Sequence, residues 1–225
     1  MNLFDILGPV MVGPSSSHTA GAVRIGWMTQ KLLGEQPVEA KILMYGSFAA
    51  TGKGHGTDRG LVAGLLGMRP DDERIPDSFE IARKMGLSYS FGIANLTSAH
   101  PNSVVLEVKS GRTLEVQACS LGGGRIMINR LDGLDVNCSC EIPTLIVHNL
   151  DQPGHVAEVT SMLAHKSVNI ANMSLYRDKR GGSAVMVVEM DQPLPKESLE
   201  WLEHLEGIVK VTYINVTEGE EDDVL

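Results

Sequence analysis

Downstream of Pro143 the apolar and polar positions follow a short, regular order. They predict strand Thr144–Leu150, helix Gly154–Lys166, strand Val168–Tyr176, the turn RDKRGG, strand Ser183–Met190, helix Lys196–Glu206 and strand Ile208–Val216. The runs TLIV, SAVMVVEM and IVKVTYINV are rich in β-branched residues, which suit a pleated, half-buried surface. On the first helix Val156, Val159 and Leu163 recur at i, i+3 and i+7 and predict one buried stripe. Leu199, Leu202 and Leu205 do the same on the second. A β-α-β-β-α-β order predicts a split, ferredoxin-like unit with both helices on one face of an antiparallel sheet.

Upstream of Pro143 the pattern is irregular and glycine is frequent. It predicts a helix at Thr19–Leu33, a strand at Lys41–Phe48 and a helix at Asp58–Leu66 closed by Gly67. A further helix spans Ser78–Met85, with Asp77 as N-cap, Glu80 three residues on and Gly86 as its stop. Strand patterns follow at Leu87–Leu96, Ser103–Lys109, Arg112–Ser120, Ile126–Arg130 and Val136–Cys140. KSGRT and LDGL read as hairpin turns, so this half is α+β with a meander. The chain is thus expected to be α+β throughout, with a first domain over 1–142, a second over 143–217 and an acidic tail over 218–225.

Composition narrows the class. The 225 residues are 43% hydrophobic, enough for a substantial core. A net charge of −9 argues against nucleic acid or an anionic membrane as partner. No apolar run approaches the ~20 residues that span a bilayer, and MNLFDILGPV lacks the basic start of a signal peptide. Three cysteines, an odd number, fit reduced thiols better than a disulfide framework, and a cytoplasmic location is expected.

Candidate chemistry lies in GPSSSHTAG, Gly13–Gly21, which gathers Ser15, Ser16, Ser17, His18 and Thr19 at a helix start. One hydroxyl there caps the helix. The remaining hydroxyls, with free N–H groups, make a cradle for a carboxylate or phosphate, beside an imidazole that can shuttle a proton. A capped, serine-rich loop is the plainer reading. In GKGHGTDRG, Gly52–Gly60, three glycines flank Lys53 and His55 with little side-chain bulk, so a ligand can approach closely. The spacing is neither a Walker A loop nor G-x-G-x-x-G. Lys53 can hold an anion, and Asp58 can orient an imidazole or simply cap the next helix.

AHPN (Ala99–Asn102) and SLGGGRI (Ser120–Ile126) read as turns, the latter placing Arg125 after three glycines. Cys119, Cys138 and Cys140 raise an iron–sulfur hypothesis. Against it, Cys138 and Cys140 are two apart on a predicted strand and no C-x-x-C exists. In NLDQPGHVAEV, Asp151, Pro153 and Gly154 form either a plain turn or an effector pocket, with helix N–H groups for an amino-acid carboxylate and Asp151 for its ammonium.

Together GPSSSHT, GSFAATGKGHGTD, AHPN and GGGRI resemble the beta chains of bacterial iron–sulfur-dependent L-serine dehydratases. The first region is similar to an allosteric substrate-binding domain, and the DQPG unit looks like an ACT domain. The resemblance covers nearly the whole chain. It implies deamination of L-serine to pyruvate and ammonia, in serine catabolism and gluconeogenesis. It also implies a 4Fe–4S cluster ligated by a partner alpha chain, leaving the three thiols here structural. By resemblance His55 is the catalytic base, His18 assists, and Ser15, Ser16, Ser17, Thr19 and Lys53 bind substrate. L-serine or another small amino acid is the expected ligand, and a hetero-oligomer built on ACT-mediated dimers the expected assembly. The alternative is a purely regulatory amino-acid-sensing subunit.

Overall fold

The structure, a computed structural model, describes residues 10–215. The acidic tail and Val216, the last residue of the final predicted strand, lie outside the described residues, as do residues 1–9. The chain divides into two compact units, Met1–Gly133 and Leu134–Leu225.

In the first unit, strands β1 (Glu39–Met44), β2 (Ser88–Ile93), β3 (Ser103–Lys109), β4 (Thr113–Gly122) and β5 (Arg125–Leu131) lie in the order β2-β1-β3-β4-β5. β1 and β2 run parallel, whereas β3, β4 and β5 form an antiparallel meander. Parallel neighbours need a long crossover. Here it consists of α2 (Gly46–Thr51), α3 (Thr57–Leu65) and α4 (Ser78–Met85). Ahead of β1, a π-turn at Ser16–Ala20 runs directly into α1 (Gly21–Leu33). Gly34, at φ 86, ends α1 in the left-handed conformation that glycine tolerates. Ile25, Met28 and Leu32 of α1 are fully buried with Leu106, Leu114, Ile126 and Ile128 from the meander.

The contact between α1 and α3 is made by glycine. A Cβ on Gly64 would lie 2.0 Å from the Val23 carbonyl oxygen, and one on Gly26 would lie 2.3 Å from that of Leu61. The two backbones therefore touch, which places the residues leading into each helix side by side.

Three expectations change here. The helix predicted from Thr19 opens as a π-turn, because the Ser15 carbonyl accepts from both Thr19 N–H (2.8 Å) and Ala20 N–H (3.3 Å). The strand predicted through Phe48 ends at Met44; Gly46, at φ 56, turns the chain into α2 and Phe48 is buried from a helix instead. Asp77 stands at the N-cap of α4 without a side-chain capping bond.

The second unit comprises β6 (Leu134–Cys138), β7 (Thr144–Leu150), α5 (His155–His165), β8 (Ile170–Arg177), β9 (Ser183–Met190), α6 (Lys196–Glu203) and β10 (Ile208–Ile214). Strands β10-β7-β9-β8 form an antiparallel sheet in that order, the ferredoxin-like arrangement. Leu145 and Val147 of β7 and Met186, Val188 and Met190 of β9 share one core with Val159 and Leu163 of α5 and Leu202 of α6. Both helices therefore cover the same face.

The predicted stripe on α5 is corrected at one position: Val156 is 40% exposed, and His155, Val159, Met162 and Leu163 face inward. Cys140 is also off the predicted strand, since β6 ends at Cys138 and Cys140 has φ 52. Among the described residues no helix is long and apolar enough to cross a membrane.

Candidate active site

The π-turn is the platform of the site. Ser15 is its N-cap, and its Oγ accepts the His18 N–H at 3.1 Å, so the capping function expected of this run falls to Ser15. Ser17 Oγ is 3.4 Å from Ser15 Oγ. The turn also lifts His18 off the helix proper and aims its ring across to α2, where Nε2 lies 3.0 Å from Ser47 Oγ. On its other edge Nδ1 is 3.5 Å from Ser15 Oγ. Ser15 Oγ accepts the His18 backbone proton and has its own O–H to offer Nδ1. With the Ser15 O–H on Nδ1, the tautomer that completes both contacts carries its proton on Nε2 and donates to Ser47. Ser47 Oγ also lies 3.5 Å from Thr51 Oγ1, whose own hydroxyl donates to the Ser47 carbonyl at 2.9 Å.

His55 comes from the turn between α2 and α3, and its ring centroid is 5.2 Å from that of His18. Its backbone is tied down twice: His55 N–H donates to the Thr51 carbonyl at 3.2 Å, and Thr19 Oγ1 donates to the His55 carbonyl at 2.8 Å. The ring itself is exposed, while Phe48 closes the far side of His18 with centroids 5.5 Å apart. The other two motif stretches buttress this site. The Pro101 carbonyl of AHPN accepts Ser47 N–H at 2.8 Å, and Gly124 N–H of the glycine turn donates to the Ser16 carbonyl at 3.3 Å. A Cβ on Gly46 would lie 2.5 Å from that same Pro101 oxygen, so only glycine lets the two loops meet.

Burial of His18 lowers its pKa from the ordinary 6.5, and the neighbouring His55 lowers it further. A histidine less basic folded than unfolded imposes no cost above that ordinary value. As pH falls below it, the unfolded chain binds the proton first and this group's contribution turns against the folded state. His18 is therefore a neutral hydrogen-bonding ring at neutral pH, and His55 is the exposed member of the pair.

The structure brings Ser15, Ser17, His18 and His55 together, with Ser16 half-buried on the same turn and Lys53 exposed on the His55 turn. It separates three others from the roles read in the sequence. Thr19 is buried and spends its hydroxyl on the His55 carbonyl, so it positions His55 from behind. Asp58 Oδ1 accepts the N–H of Arg59 at 2.8 Å, a local helix-start contact. Asp151 Oδ2 is held by Gly181 N–H (2.9 Å) and Arg177 Nη1 (3.0 Å), because the RDKRGG turn curls back over it. Those bonds, the Gly181 one foremost, keep its carboxyl below the usual carboxylate range, and the Arg177 guanidinium already stands where an ammonium was expected. Pro153 and Gly154 are exposed at the head of α5, Gly154 with φ 111.

Ser47, in contact with His18, is the member of this cluster that the sequence pattern did not single out. It lies inside GSFAATGKGHGTD, and reading that stretch as the end of a strand hid which way its hydroxyl points. As for metal, Cys119 lies in the first unit and Cys138 and Cys140 in the second. Among the described residues no three His, Cys, Asp or Glu side chains are grouped as a metal site. Among the described residues two thiols, Cys138 and Cys140, face each other, and that pair does not supply the three thiolates that even a 4Fe–4S cluster with one open iron takes.

Comparison with known proteins supplies the context for this grouping. The family described as serine dehydratase beta chain matches residues 2–88, which contain both histidine turns and Ser47. The ACT domain family matches residues 143–205. A probable L-serine dehydratase beta chain from Bacillus subtilis (strain 168) is 40% identical over 214 residues, covering 95% of this chain and 97% of that protein. The L-serine dehydratase beta chain of Peptoniphilus asaccharolyticus is 37% identical over 216 residues, with 95% and 97% covered. A D-3-phosphoglycerate dehydrogenase of Bacillus subtilis (strain 168) is 24% identical over 197 residues, which take in 37% of that longer protein. Identity of this degree over almost the full length of two beta chains leaves one conclusion: the chain belongs to the L-serine dehydratase beta-chain family.

Proposed function

We propose that this chain is the beta subunit of an L-serine dehydratase and that it contributes the acid–base half of an active site shared with an alpha subunit. The observation that supports this reading most is the meeting of Ser15, His18, Ser47 and His55, drawn from two separate stretches, at one half-open place.

The chemistry sets the demands. The α-proton of serine is weakly acidic, so its removal needs a nearby base and a carboxylate whose charge is held by donors. The hydroxyls of Ser47 and Ser17 serve the carboxylate, with Ser15 holding the His18 ring behind them. Neutral His18 fixes the direction of Ser47. The exposed ring of His55 takes the Cα proton. The electron pair of that C–H bond becomes the Cα=Cβ bond as the Cβ–O bond breaks and hydroxide leaves. The product, 2-aminoacrylate, tautomerises to the imine and hydrolyses to pyruvate and ammonia. In this proposal a 4Fe–4S cluster on the alpha chain supplies the Lewis acid that polarises the hydroxyl. Because His18 stays neutral, His55 can become cationic without a second charge beside it.

Purifying the chain alone and together with an alpha chain tests the shared site. Turnover of L-serine is expected only for the pair, and full turnover by this chain alone contradicts it. The ACT match favours a second, regulatory reading in which the chain only senses an amino acid. On that reading His18→Ala shifts cooperativity and leaves the chemical step intact.

A further inference from the structure

Two thiols outside the active site meet in a way that burial alone does not require. Cys138 Sγ and Cys140 Sγ are 3.1 Å apart, and the residues are 1% and 0% exposed. Cys138 ends β6, whereas Cys140 sits at φ 52, a left-handed conformation that non-glycine residues seldom adopt. The residue between them is clamped. Ser139 donates to Glu189 Oε1 from both N–H (3.3 Å) and Oγ (2.8 Å), and Asn172 Nδ2 holds the other oxygen of that carboxylate at 3.1 Å. The turn is therefore fixed with its two sulfurs facing each other. A disulfide bond is ~2.0 Å long, so closing this pair needs an approach of about 1 Å.

We propose that Cys138 and Cys140 form a redox-active dithiol that a small hydroperoxide closes to an intrachain disulfide. The Cys138 thiolate attacks one peroxide oxygen and the O–O bond breaks. The hydroxide that leaves takes up the proton released when Cys138 ionised and departs as water, with a sulfenic acid left on Cys138. The Cys140 sulfur then attacks the Cys138 sulfur, the S–O bond breaks, and the departing hydroxide takes the Cys140 proton as a second water. Two thiols lose two electrons and one hydrogen peroxide becomes two waters. The hydrogen bond from the Cys140 thiol favours a Cys138 thiolate and lowers its pKa, against the opposing effects of burial and of the Glu189 charge. Cys119 is the internal control: it lies on β4, away from this turn in sequence, and burial pushes its thiol up. Burial of the pair also restricts the oxidant to a small molecule, so bulky aromatic disulfide reagents should not react with the native protein.

The full-length chain is treated with hydrogen peroxide, then denatured and alkylated with iodoacetamide, and the tryptic peptide from Leu131 to Lys166 is weighed. The expected result is loss of two hydrogens with no alkylation at Cys138 or Cys140, alkylation kept at Cys119, and full reversal by dithiothreitol. In Cys140→Ser the same treatment should leave a dimedone-reactive sulfenic acid on Cys138. Wild-type peptide alkylated at both positions after peroxide overturns the proposal. So does a disulfide that includes Cys119, or sulfinic acid on Cys138 without the disulfide. The wild-type measurement alone decides, whatever the fate of the variant.

Discussion

A His55→Ala chain assembled with its alpha partner is expected to lose a factor of about 10²–10⁴ in kcat, the range for deleting a general base. The assembly should survive. What anchors this turn is backbone: Thr51 and Thr19 hold the His55 N–H and carbonyl, and neither bond involves the imidazole. Removing the ring therefore removes a proton acceptor and its contact with the His18 ring, and leaves the anchors of the turn in place. Size-exclusion chromatography of the complex and kcat for L-serine read the two halves of this expectation separately. Activity within a factor of ten of wild type, with the complex intact, removes His55 as the base.

The second large effect falls on a glycine that touches no ligand. In Gly64→Ala the new Cβ would meet the Val23 oxygen at 2.0 Å, the Trp27 nitrogen at 2.5 Å and the Gly26 Cα at 2.8 Å. All three are backbone atoms and cannot rotate aside, so α1 and α3 must separate. Overpacking of this kind costs about 1–3 kcal/mol, or more where only backbone can yield. In a domain of this size each kcal/mol lowers Tm by roughly 2–4 °C. The cost reaches the site, because His18 sits in the π-turn that runs into α1 and His55 lies two residues before α3. Turnover should fall with Tm. Gly54→Ala is the matched control: its Cβ meets nothing closer than the Thr51 oxygen at 3.6 Å. Equal melting temperatures for the two variants would show that the helices do not need the close approach.

How much of this was legible in the sequence depends on which forces set each feature. The second unit was readable because local pattern and tertiary demand agree there. Thr144–Leu150 and Ser183–Met190 alternate or run apolar as buried strands do, and both strands have the predicted limits. Val156 misled because a stripe at 156, 159 and 163 and one at 155, 159, 162 and 163 fit the helical period almost equally well. The choice between them rests on a distant residue. Gly207 leaves room for the His155 ring, since a Cβ there would lie 2.5 Å from Nε2.

In the first unit the two histidine turns stood out by composition, but their meeting did not. That meeting depends on the contact of Gly26 with Leu61 and of Gly64 with Val23, pairs some forty residues apart in sequence. Ser47 was missed for a related reason. Phe48, Ala49 and Ala50 are as apolar as a strand, and only the left-handed Gly46 turns them into a helix. The facing sulfurs of Cys138 and Cys140 were hidden by the same kind of event, a positive φ where a strand was expected to continue.

Nuclear magnetic resonance of the seven imidazoles, ¹⁵N-labelled in the assembled complex and followed through a pH series with and without L-serine, addresses the shared substrate site without relying on turnover. Serine should move the His18 and His55 signals together and leave His165 and His204 in place, with His18 staying neutral to lower pH than a free histidine. Signals at His18 and His55 that ignore serine, while those of the ACT unit respond, would contradict the account.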